Sequence, residues 1–280
     1  MFINDEAKTI STLLRINSRK IKSRLYNAFE NSIVGCNREV QFLQDITANI
    51  SSNLNNLNIS GLSFSCRTSK IHQKPIVSLP SGKRCELGDL LAVVKYQLSS
   101  GDLEAKSIIY QVKLAQVSSF TCTINQTQLD LLTNWPPFSF GRDSNGGLVT
   151  YNIRPYTLEF GSFMLEQRNP SLGNYLDRKY RSYGICPFAI LVNRIGPSTV
   201  DITRFPYTKG DVHNFFSHII FEIGEHHINN PVKNLVDALY RYVGLSPDPP
   251  DEFSEYREDT EDDGFAVIEI KAAIEEQPRV

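Results

Sequence analysis

Two apolar runs around a glycine-bearing turn constrain this chain more than anything else in its sequence. Leu87–Tyr96 and Ser107–Leu114 have the length and the Leu, Ile, Val and Tyr content of buried strands, and Ser99-Ser100-Gly101-Asp102 between them reads as a hairpin turn. Side chains alternate along a strand, so Ile108, Tyr110, Val112 and Leu114 share one face while Ser107, Ile109, Gln111 and Lys113 share the other. Antiparallel pairing about Gly101 sets Asp89, at the start of the first run, opposite the region of Gln111 to Lys113. A carboxylate, an amide and an ammonium are therefore expected together inside apolar sequence, where polar groups are costly unless paired or used.

The surrounding pattern is mixed. Ile10–Glu30 carries Leu13, Leu14, Ile16, Ile21, Leu25 and Phe29 at roughly helical spacing, with Arg15, Arg19, Lys20, Lys22 and Arg24 between them. These bases read as a solvated helix face; contact with a phosphate backbone is the sharper alternative. A second helix is predicted over Asn37–Asn53, capped by Asn37, with Val40, Leu43, Ile46 and Ile50 on its inner face. Shorter strands are predicted at Leu62–Arg67 and Ile76–Leu79, the latter verging on irregular. A helix over Ile124–Asn134 is stopped by Trp135-Pro136-Pro137. Residues 141–183 read as loop, Pro187–Ile195 as a buried strand, and Val212–Gly224 and Pro231–Val243 as helices. Gly264–Lys271 reads as a strand returning to the body.

Composition narrows the class. With 41% of 280 residues apolar, the chain can fill a core without disulfides or metal. No window approaches the ~18 consecutive apolar residues of a membrane helix, so no membrane partner is expected. Met1–Ile10, with Asp5, Glu6 and Lys8, does not read as a secretory signal. The five cysteines are spread without a CxxC pair, which suits reduced thiols in a cytoplasmic protein. Charge is uneven: residues 248–263 hold nine acids against Arg257 alone, leaving 28 bases and 22 acids elsewhere. A mildly basic body is compatible with a polyanion, and the acidic stretch reads as a linker or as a cover for a basic surface.

The polar residues of the hairpin suit metal-assisted phosphodiester hydrolysis. Carboxylate oxygens hold Mg²⁺, which lowers the pKa of a bound water, and a lysine neutralises charge developing on the phosphoryl group. Glu39 on a helix, Asp89 in Glu86-Leu87-Gly88-Asp89-Leu90-Leu91, then Gln111-Val112-Lys113 resemble the PD-(D/E)XK, or restriction-endonuclease-like, nuclease superfamily. The resemblance implies an α/β (α+β) fold: an αβββαβ core with a mixed central sheet and added helices, cutting DNA with Mg²⁺ (or Mn²⁺). By residue it implies that Asp89, Gln111 and Glu39 hold the metal and that Lys113 is the catalytic lysine. Glutamine stands at Gln111 where the family pattern has an acid. Defence or repair is the setting that it suggests.

The implied organisation is a helical extension over 1–36, the nuclease-like core over 37–195, helices over 196–246, an acidic linker over 247–263 and a tail over 264–280. The partner implied is nucleic acid, DNA ahead of RNA, with a protein partner or homo-oligomer left open. The same residues also have a plain structural reading. Asp89 can pair with Lys113, and Gln111 can satisfy a main-chain group. The alternative function is a catalytically inactive nuclease fold that binds nucleic acid or a protein. Glu86 reads as a surface acid, with a second acidic ligand as the alternative, and His72, His213, His218, His226 and His227 read as ordinary histidines without an HExxH pattern. Neither GxxxxGK[ST] nor GxGxxG nor GxSxG occurs.

Overall fold

The computed structural model describes residues 5–33, 39–55, 57, 59, 61–70, 73–101, 103–114, 121–123, 125–143, 145–153, 161–166, 188–190, 199–201, 225–226, 231–246 and 264–274. Three helices come first: α1 (Asp5–Ile16), α2 (Ser18–Ile33) and α3 (Glu39–Asn55). The sequence predicts one helix through the first two. The chain instead turns at Asn17, whose side-chain amide and main-chain N–H both donate to the Leu13 carbonyl. Ile10, Leu14, Ile21, Leu25 and Ala28 are buried, whereas Ile16 at the break is exposed. In α3, Phe42, Leu43, Ile46, Ile50 and Leu54 form the inner stripe. Asn55 fastens its far end by accepting from the Cys66 N–H at 2.6 Å and donating to the Cys66 carbonyl at 3.1 Å.

Strands β1 (Leu62–Thr68), β2 (Ile76–Ser78), β3 (Arg84–Glu86), β4 (Leu90–Gln97), β5 (Leu103–Leu114) and β6 (Thr121–Thr123) precede α4 (Gln126–Asn134). Then come β7 (Phe138–Arg142), β8 (Leu148–Tyr151), β9 (Gly161–Glu166), β10 (Phe188–Ile190), β11 (Thr199–Asp201), β12 (Glu225–His226), α5 (Pro231–Tyr242) and β13 (Ala266–Ile274). The chain is a mixed α/β protein around a mixed sheet of order β1-β13-β4-β5-β9-β10, with β12 also on β5. The pairs β1–β13, β4–β5 and β9–β10 are antiparallel, while β13–β4 and β5–β9 are parallel. Strands β3-β2-β7-β8 form a smaller sheet.

Two cores result, one on each face of the main sheet. Leu90, Ala92, Val94, Ile108, Tyr110 and Val112 pack with α1, α2 and α3. Leu91, Val93 and Ile109 pack with α4, α5 and the small sheet. Trp135, Phe138 and Phe140 are buried in this second core, with Phe138 stacked 5.7 Å from Tyr151. Residues 138–151, of which those from 141 onward read as loop, form the β7–β8 hairpin about Asp143 and Gly147. The predicted helix over 212–224, the Asn37 cap and the acidic stretch 248–263 lie outside the described residues.

Strand β13 is more than a returning tail. It lies between β1 and β4, buried over Ala266–Ile270, and carries Glu269 into the sheet with no exposed surface. Arg67 of β1 donates from Nε to Oε1 at 2.6 Å and from Nη2 to Oε2 at 3.1 Å. Lys95 of β4 pairs with Oε2, and the Tyr240 hydroxyl of α5 donates to it at 2.7 Å. Burial alone raises the Glu269 carboxyl, but these donors outweigh it and hold it near 2 instead of 4.5. Three strands and a helix are thereby joined at one carboxylate.

Candidate active site

The site is set by the register of the β4–β5 hairpin. The turn closes with Gly101 N–H donating to the Leu98 carbonyl, and Gly101 takes φ +81°, which favours glycine. Leu90 faces Tyr110, so Asp89 comes level with Gln111, as the alternation predicts. The Asp89 N–H donates to the Tyr110 carbonyl at 2.8 Å, and the Asp89 carbonyl accepts from the Ala266 N–H at 2.9 Å. Its main chain is thus tied to β5 and β13 together. Gly88 permits this close passage: a Cβ there would collide with an Ile109 methyl and lie 3.1 Å from the Tyr110 carbonyl oxygen.

The Asp89 side chain is wholly buried. Its Oδ2 accepts from the Val112 N–H at 2.6 Å and from the Gln111 side-chain amide. Its Oδ1 lies 3.2 Å from the Lys74 ammonium, which is also 3.3 Å from Glu86 Oε2. Burial disfavours the charged form of Lys74, but the carboxylates of Asp89, Glu86 and Glu39 outweigh it and raise its pKa above the ordinary lysine value. Glu39, the first residue of α3, adds only the smallest of these three attractions. Glu86, which reads as a surface acid, is half-buried against Lys74.

Gln111 is fully buried, and its oxygen accepts from the Gln128 side-chain amide. Gln128 also donates to the Glu86 carbonyl at 3.1 Å. Helix α4 presents Gln128 because Asn125 caps its start, accepting from the Thr127 and Gln128 N–H groups at 2.9 and 3.3 Å. A relay of two amides thus fixes Asp89 from behind. Lys113 follows Gln111 by two positions on β5, paired in register with Leu165; only its main chain is among the described residues.

Lys74 and Gln128 escape the sequence reading. Lys74 sits in an aperiodic stretch beside Pro75, and nothing local marks it. Gln128 has one weak signal, a position three residues after a capping Asn. His226 lies on β12, its side chain undescribed, and the other histidines fall outside the described residues.

The donor set was tested against a divalent cation. Carboxylate oxygens from Asp89 and Glu86 are the hard ligands that Mg²⁺ takes, and an ammonium already stands between them as a cation. Among the described residues no three Asp, Glu, His or Cys side chains converge on one point. Mg²⁺ does not require three, since it commonly uses one or two carboxylates and completes its shell with water and substrate phosphate. Gln111 fits less well, because its oxygen is taken by Gln128 and its amide nitrogen faces Asp89. The chain matches no protein-family model, no curated protein and no solved structure. No described helix is long and apolar enough to cross a membrane.

Proposed function

We propose that this chain is a metal-dependent nuclease with a restriction-endonuclease-like core, hydrolysing phosphodiester bonds in DNA. The observation that carries this reading is the meeting of Asp89 and Gln111 on adjacent strands, with Glu86 sharing the Lys74 ammonium with Asp89. The element order supports it. Helix α3 leads into β1, β4 and β5, whose directions alternate across the sheet; α4 then crosses to β9, parallel to β5. In this reading β9, rather than the strand predicted at 187–195, closes the αβββαβ unit, and β13 is an added strand between β1 and β4.

Asp89 and Glu86 would hold a divalent ion, which would supply Lewis acidity when bound. Gln111 and the Val112 N–H keep the Asp89 carboxylate in one orientation, and Gln128 keeps Gln111 in its own. Lys113, two positions further along β5 from Gln111, would neutralise charge on the phosphoryl oxygens.

One observation favours a second reading. Both Asp89 oxygens are engaged, one by Lys74 and one by Gln111 and Val112, as in a structural ion-pair network. A nuclease fold that has lost its metal, and that binds nucleic acid or a protein, would carry such a network.

The test is cleavage of supercoiled and linear DNA in Mg²⁺ and in Mn²⁺ by the full chain, Asp89→Ala and Lys113→Ala, with folding checked by circular dichroism. Each substitution is expected to abolish cleavage with the fold retained. Cleavage surviving in both variants overturns the site. DNA binding by the wild type without any metal-dependent cutting supports the second reading.

A further inference from the structure

Lys74 is a cation seated where the proposed reaction needs a different one. Its Nζ stands 3.2 Å from Asp89 Oδ1 and 3.3 Å from Glu86 Oε2, and its side chain is only 8% exposed. The Pro75 carbonyl accepts from the Leu87 N–H at 2.8 Å, so the stretch carrying Lys74 is fastened beside Glu86 and Asp89 by its own main chain. Two carboxylates, those of Asp89 and Glu86, share this one ammonium. A buried carboxylate beside a second one is repelled by it unless a cation is present. Here a side chain, that of Lys74, is that cation.

We propose that Lys74 is the resident counter-ion of the site and competes with the divalent cation for Asp89 and Glu86. This inference rests on the metal-dependent reading above and assigns a regulatory residue to it. An ammonium on a flexible four-carbon stem can withdraw, whereas the carboxylates are held by the β-sheet and by Gln111. The two carboxylates are thus charge-compensated by Lys74 itself, and a metal enters only by moving Lys74 off Asp89 Oδ1. Lys74 is a positioning residue that touches the two carboxylates and no substrate. Its competition sets the metal concentration at which the site fills.

The test is calorimetric titration of Mn²⁺ into the full chain, Lys74→Met, Lys74→Arg and, as a control for net charge, Lys83→Met at an exposed position. Lys74→Met is expected to bind Mn²⁺ at least about tenfold more tightly, as loss of a buried competing charge requires. Lys74→Arg should stay near the wild type, and Lys83→Met within about twofold of it, since an exposed charge is screened. In Lys74→Met the thermal midpoint should fall without metal and recover with Mn²⁺. A second measurement needs no variant: the Lys74 ¹⁵Nζ resonance of the wild type should move as Mg²⁺ is added. Measurable but equal affinity in wild type and Lys74→Met, or a Lys74 resonance unmoved while Mg²⁺ binds, overturns the competition and leaves the metal site standing. No Mn²⁺ binding in any of the four proteins overturns both.

Discussion

Glu269→Gln offers a quantitative test of what holds the sheet together. The carboxyl is held near 2 in the folded chain against 4.5 when free. At 1.36 kcal/mol per pKa unit that difference corresponds to about 3 kcal/mol of stabilisation at neutral pH. The carboxylate has no exposed surface, but its partner Arg67 is about half exposed and solvent screens that pair, so the figure is an upper one. The sign follows from linkage. A carboxyl with a depressed folded pKa contributes its stability above about pH 4.5 and loses it as pH falls toward 2. Urea denaturation of wild type and Glu269→Gln should therefore differ by up to about 3 kcal/mol at pH 7 and by less than half of that difference at pH 3. The neutral amide keeps the shape and leaves Arg67, Lys95 and the Tyr240 hydroxyl around a group without charge. A difference below about 1 kcal/mol at pH 7, or one as large at pH 3 as at pH 7, would refute the reasoning.

Gly88→Ala should lower stability by about 1–3 kcal/mol and weaken cleavage, because its Cβ enters the space of Ile109 and Tyr110 at the foot of Asp89; denaturation and the cleavage assay check both. Gln128→Leu leaves the Gln111 oxygen buried without its donor, costing about 1–3 kcal/mol by the same denaturation assay. Asn125→Ala removes the cap of α4 and should cost about 1 kcal/mol in thermal unfolding. Truncation after Ser246 removes β13 from between β1 and β4, and circular dichroism should report an unfolded chain, so the acidic stretch must be probed by substitution within 248–263.

How far the sequence reached depends on the range of the interactions involved. The faces of β5, the register that brings Asp89 level with Gln111, and the buried stripe of α3 follow from period and turn residues within a few dozen positions. The central place of β13 does not, because its partners Leu90–Gln97 lie some 170 residues earlier and only tertiary packing selects them. Glu269 carries a trace, an acid within the apolar run Ala266–Ile270, whose meaning appears only with Arg67 and Lys95 beside it. Lys74 leaves none, since a lysine in an aperiodic stretch reads as solvated until β4 brings Asp89 to it. The break between α1 and α2 turns on the bonds of one side chain, Asn17, which periodicity does not register. In residues 138–151 the hairpin signal is present as Asp143-Ser144-Asn145-Gly146-Gly147, but the dense Gly and Pro of the wider region read as loop.

The central claim is that a divalent cation binds at Asp89. A crystal of the full chain soaked in Mn²⁺, with anomalous diffraction recorded, tests it most directly. An anomalous peak is expected against Asp89 and Glu86, with the Lys74 ammonium displaced from Asp89 Oδ1. A fully soaked crystal with no peak there, and Lys74 still seated between the two carboxylates, would contradict it.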